Sequence, residues 1–167
     1  MGVKKIVSAW ILVILNISNV YADSPDCEAL LTLADIESAC SKANLEYKKS
    51  PFENGKKDMF CVREFRLSFA NRLGFNLARY SEKNQADSYE KNAMISDKNK
   101  AVAEKLAVAD GGFAFHTSDK VTGERSVVRL RKGNSFVEIK YQHSKREKPF
   151  CDMNGLKTLA EKVSQKL

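Results

Sequence analysis

The sequence predicts an α+β domain: an antiparallel sheet covered by N-terminal and C-terminal helices and held by two disulfides. Three observations carry this. "SVVRLRKGNSFVEIKYQ" (126–142) alternates about a two-residue turn, "DMNGLKTLAEKVSQKL" (152–167) carries an apolar stripe at helical spacing, and four cysteines follow a leader-like start.

The chain has 167 residues and a net charge of +7. It opens with Lys4 and Lys5, an apolar run of about 15 residues, and Val20-Tyr21-Ala22 before Asp23. This reads as a signal peptide over 1–22, cleaved after Ala22, leaving a single domain over 23–167. The rival is an uncleaved anchor, which wants roughly 20 apolar residues; Asn16, Ser18 and Asn19 interrupt this run. Losing Lys4 and Lys5 leaves 26 basic and 21 acidic side chains, a balance of +5. The expected location is periplasmic or secreted, with no stable membrane span after cleavage.

Thr32 and Asp35 have the spacing of a capping box and open a helix expected to run to about Ala43, with Leu33, Ile36 and Cys40 on one face. "DMFCVREFRLSF" (58–69) reads as a strand with Phe65, Leu67 and Phe69 alternating. The irregular parity of Phe60, Cys61 and Val62 before them suggests a bulge or two buried faces. A turn at Asn71-Arg72 leads to a strand with Leu73, Phe75 and Leu77 inward. Residues 84–109 read as two helical pieces broken at "SDKNK", the first with Ala86, Tyr89 and Ala93, the second with Val102, Leu106 and Ala109. Gly111-Gly112 stops them and "FAFHT" is a strand.

The Gly133-Asn134 turn then sets a register: Lys132 opposite Ser135, Leu130 opposite Val137, Val128 opposite Ile139 and Ser126 opposite Tyr141. Arg131–Phe136, Arg129–Glu138 and Val127–Lys140 fall on the other face, and a slip of one residue would bury Arg129 and Glu138. Asp152 caps the last helix. Its stripe of Leu156, Leu159, Ala160, Val163 and Leu167 lacks the aromatic residue a membrane-surface helix would favour, so core packing is expected.

Cys27, Cys40, Cys61 and Cys151 admit three pairings. Metal or redox chemistry would call for a close pair such as Cys-x-x-Cys, and the nearest two are thirteen apart. Structural disulfides are therefore expected. Cys40 with Cys61 and Cys27 with Cys151 are favoured, because the inward face of the first helix meets the strand it supports.

"CEALLTLADIESAC", "VADGGFAF", "RKGNSFVEI" and "CDMNGLKTLAEKV" occur in that order. Together they resemble a group of small exported bacterial proteins of unassigned function, many of them lipoproteins, similar in outline to PsbP-like α/β sandwiches. The resemblance implies the fold and supports the disulfides. It implies no catalytic residues, and a cysteine at the cleavage point is missing here.

Function is expected to be non-catalytic, with no cofactor or metal. Only His116 and His143 offer neutral-pH bases, and no G-x-S-x-G, H-E-x-x-H, P-loop or G-x-G-x-x-G occurs. "DGG" at 110–112 reads as a helix stop rather than a phosphate cradle, and Asp110, Glu104 and Asp119 have no readable pairing. The candidate binding face is Arg125, Arg129, Arg131, Lys132, Phe136 and Lys140 on the hairpin. Export argues against nucleic acid as partner. The leading expectation is a binding or envelope-associated module that meets a protein or an anionic envelope component. An inhibitor or immunity-type protein is the alternative, and a hydrolase with an unrecognised site comes third.

Overall fold

A glycine at Gly133, with φ of 59°, turns the chain between two long strands at the position where a type II′ turn takes glycine. The computed structural model describes residues 27–41, 44–49, 60–80, 82–97 and 103–167. The expected leader, Val102 and the side chains of Tyr89 and Ala93 lie outside them.

The elements run α1 (Cys27–Leu30), α2 (Leu33–Ala39), β1 (Glu46–Lys49), β2 (Phe60–Ser68), β3 (Asn71–Arg79), α3 (Lys83–Asp97), β4 (Ala103–Leu106), β5 (Gly111–Asp119), β6 (Gly123–Lys132), β7 (Ser135–His143) and α4 (Met153–Lys166). The strands form one antiparallel sheet of order β1-β2-β3-β7-β6-β5-β4. The β6–β7 register is the one the alternation predicts, from Lys132–Ser135 through Ser126–Tyr141.

The main core lies on one face of the sheet. Phe65, Leu73, Phe75, Val128, Leu130, Val137 and Ile139 meet Leu30, Leu31 and Ile36 of the N-terminal segment and Leu156, Leu159, Ala160 and Val163 of α4. Burying such side chains is worth roughly 1.5–3 kcal/mol each. α4 packs along β6, and α2 packs on α4. Both caps read from the sequence are present: Thr32 and Asp35 bond reciprocally, and Asp152 accepts from the Gly155 N–H at 2.8 Å. Lys166 then reaches back to the Ala29 carbonyl (3.0 Å) and to Asp35 (2.7 Å).

Several expectations need correction. The disulfides join Cys27 to Cys61 and Cys40 to Cys151, not Cys40 to Cys61 and Cys27 to Cys151. The cause is an interruption of the helix after Leu30, before α2 begins at Leu33. Cys27 rides on the separate helix α1, and Arg63 on β2 donates to the carbonyls of Glu28 and Leu31, which draws α1 beside Cys61. Cys40 caps α2, which stops at Ala39 instead of reaching Ala43, and Ser41 N–H bonds the Phe150 carbonyl at 2.7 Å, placing Cys40 next to Cys151. Gly155 leaves the room this bridge needs: a Cβ there would lie 2.9 Å from Cys151 Sγ and 2.8 Å from the Ala39 carbonyl.

Phe65 faces the core, but Leu67 and Phe69 do not, because the pairing with β3 shifts between Arg66 and Ser68. The turn is at Phe69-Ala70, and Asn71, buried, begins β3. The second expected helical piece is the edge strand β4, whose Leu106 enters the core while Glu104 bonds Lys157 at 2.7 Å. Pairing with β5 overrides the helix propensity of that segment. Gly111-Gly112 opens β5 and stops no helix.

Candidate functional site

On the hairpin's outer face the structure separates the residues expected to bind. Arg129 is buried against Glu138, with Nη2 2.6 Å from Oε2, and its guanidinium lies over the rings of Phe113 and Phe115. Arg131 bonds three carboxylates, Asp87 (2.8 Å) and Glu90 (3.2 Å) on α3 and Asp110 (3.3 Å). The Gly133 N–H, with the Arg131 charge beside it, holds the Asp110 carboxyl below its ordinary value. Phe136 is buried, and Arg125 and Lys140 are half-buried. Lys132 sits on the opposite, core-facing side, where its ammonium caps the Ser164 carbonyl in the last turn of α4. "DGG" thus serves the hairpin, with Asp110 receiving the turn amide. Asp110 and Asp119 close opposite ends of β5, about 30 Å apart at 3.3 Å per residue.

The two histidines share a cleft of about 390 Å³ between the far ends of β5–β7 and the start of α4, lined also by Glu104, Ser126, Tyr141 and Asp152. His116 Nδ1 lies 3.0 Å from Ser126 Oγ and Nε2 lies 2.9 Å from Glu124. A hydrogen bond from Ser118, with His116 and Lys145 adding to it, lowers the Glu124 carboxyl. His143 Nδ1 donates to the Ser144 carbonyl at 2.9 Å, and its ring stacks on Tyr141. A hydroxyl, an imidazole and a carboxylate in sequence are the parts of a nucleophile, base and orienting acid. Here, however, Ser126 is buried within a strand.

Beyond the cleft lies the end of the sheet, which the sequence reading did not single out. His143 pairs with both Asn71 and Glu124, so the β2–β3 turn, the β5–β6 turn and the 144–150 loop gather there. Phe69 is 78% exposed at the first turn and Val121 is 93% exposed at the second. Lys120, Lys145, Arg146 and Lys148 are exposed around them. The backbone beneath is fixed. Asp119 accepts from the amides of Val121 (2.8 Å) and Thr122 (2.9 Å), and Gln142 donates to the Thr122 carbonyl. Ser144 N–H bonds the Ala70 carbonyl, Asn71 donates to the Lys148 carbonyl, and the Phe150 N–H bonds the Tyr141 hydroxyl. Two signals for this end were in the sequence: the short "DKVTG" turn with an apolar residue at its tip, and the charged "HSKREKPF" loop.

Comparison with protein families, characterised proteins and solved structures gave no match.

Proposed function

We propose that this chain is an exported, non-catalytic binding module that associates with an anionic component of the cell envelope. The carrying observation is the sheet end, where exposed Phe69 and Val121 stand among Lys120, Arg146 and Lys148, with Lys145 beside them paired to Glu124. The contact surface is assigned there, because Arg129 and Arg131 of the hairpin are engaged by carboxylates of the domain itself. Export follows from the leader-like 1–22 with cleavage after Ala22. Two disulfides are consistent with an oxidising, extracytoplasmic location. The terminal helices are read as a joint cover for the inner sheet face, supported by the core that Ile36 and Leu156 share.

Retention on native envelope fractions across salt concentrations tests this. Lys120→Gln, Arg146→Gln and Lys148→Gln combined should release the chain and flatten its salt dependence. Unchanged retention rejects the reading. A second reading, a hydrolase, draws on the Ser126–His116–Glu124 arrangement.

A further inference from the structure

We infer that the anionic component is a lipid bilayer surface, met edge-on by the sheet end with Phe69 and Val121 entering the headgroup region. The inference rests on the envelope reading above and names its ligand. Phe69 and Val121 are the two most exposed large apolar side chains among the described residues. A single such residue on a surface needs no explanation; these two cap separate turns at one end of the sheet. Three strand spacings separate the turns, about 14 Å at 4.7–4.9 Å each.

The arrangement suits a membrane better than a protein. Protein interfaces concentrate their apolar anchors in a central, desolvated patch with a polar rim. Here the apolar points are spread, and the cationic 144–150 loop leaves β7 between them. That pattern fits a laterally uniform surface, in which aromatic and aliphatic tips enter the interface while Lys and Arg stems carry their charges to anionic headgroups. Arg72, paired with Glu64 at 3.9 Å, has its guanidinium 5.6 Å from the centroid of the Phe69 ring.

The carboxylates at this end keep their charge but are outnumbered, with Lys120, Lys145, Arg146 and Lys148 beside Asp119, Glu124 and Glu147. Asp119 accepts its own turn's amides, Glu147 accepts the Ser68 hydroxyl at 2.8 and 2.9 Å, and Glu124 accepts from Ser118, bonds His116 and pairs with Lys145 at 3.5 Å. The fixed backbone also means that little ordering entropy is lost on docking.

Sedimentation of the purified, oxidised chain with phosphatidylcholine vesicles, with and without phosphatidylglycerol, tests the inference. Binding is expected only with phosphatidylglycerol. Phe69→Ser with Val121→Ser should weaken it by about tenfold or more without moving the melting temperature, since both side chains are exposed. Lys120→Gln, Arg146→Gln and Lys148→Gln together should weaken it about a hundredfold, near fivefold per cation. Vesicle binding that ignores the serine variant overturns the inference. So does absence of vesicle binding while envelope fractions retain the chain, a result that leaves the envelope reading standing with a protein or glycan as ligand. Failure on both vesicles and envelope fractions rejects both.

Discussion

Arg129 and Glu138 face each other across the β6–β7 hairpin, 2.6 Å apart, with side chains only 10% and 17% exposed. A pair this enclosed acts on folding. Removing Glu138 takes the facing carboxylate from a buried guanidinium, and Glu138→Ala should cost about 3–5 kcal/mol. Arg129→Met with Glu138→Leu should be near neutral by comparison. Urea melts of the three chains check this. Equal losses in the single and double variants would show that the ion pair is not what the single change breaks.

Asp35 ties α2 to the end of α4. Burial would raise its carboxyl, but the Lys166 ammonium and the Thr32 donors outweigh burial and hold it below its ordinary value of 3.8. A carboxyl lowered on folding contributes stability that is present above the unfolded value and lost as pH falls through the folded one. Asp35→Asn should therefore cost about 1 kcal/mol at neutral pH, and the gap to the native chain should close below about pH 4. Thermal melts across pH show it. A gap that persists in acid would contradict the assignment.

Non-reducing peptide mapping should recover Cys27 with Cys61 and Cys40 with Cys151. In the chain-entropy model, bridges spanning 34 and 111 residues contribute about 4 and 5 kcal/mol. Cys40→Ser with Cys151→Ser should accordingly destabilise more than Cys27→Ser with Cys61→Ser. The reverse order would place more of the stability in the α1–β2 contact than in the closure of the α2–α4 layer.

The hydrolase reading makes its own demand. A broad ester and peptide screen that gives turnover, abolished by His116→Ala and by Ser126→Ala, would favour it over a binding role. Turnover indifferent to Ser126 would remove that serine as nucleophile.

How much was legible in the sequence depended on how local its cause was. The hairpin about Gly133, the Thr32 box and the Asp152 cap are set by residues within a few positions of one another, and each stands where the pattern predicts. The cysteine pairing failed because it depends on Arg63. A buried arginine bonding one carbonyl of a four-residue helix and another just past it, 35 and 32 positions upstream, leaves no periodic trace. Leu106 looked helical because Val102, Leu106 and Ala109 fall at helical spacing, and only pairing with β5 makes its segment a strand. The basic hairpin face looked open for a similar reason: the acids that neutralise Arg131 come from α3 and from Asp110. At the sheet end, Phe69 and Val121 are 52 positions apart in the chain, and only the strand order brings their turns to one edge.

The bridge from Cys40 to Cys151 also has a temporal meaning. If the chain is exported amino end first, as proposed above, Cys40 emerges 111 positions before its partner. Oxidation at that site would then wait until the chain through Cys151 is across. Cys61, by contrast, follows Cys27 closely enough to be joined while threading continues. An oxidant that acts too eagerly would couple Cys40 to Cys27 or Cys61, so maturation by that route would require either delay or reshuffling by an isomerase.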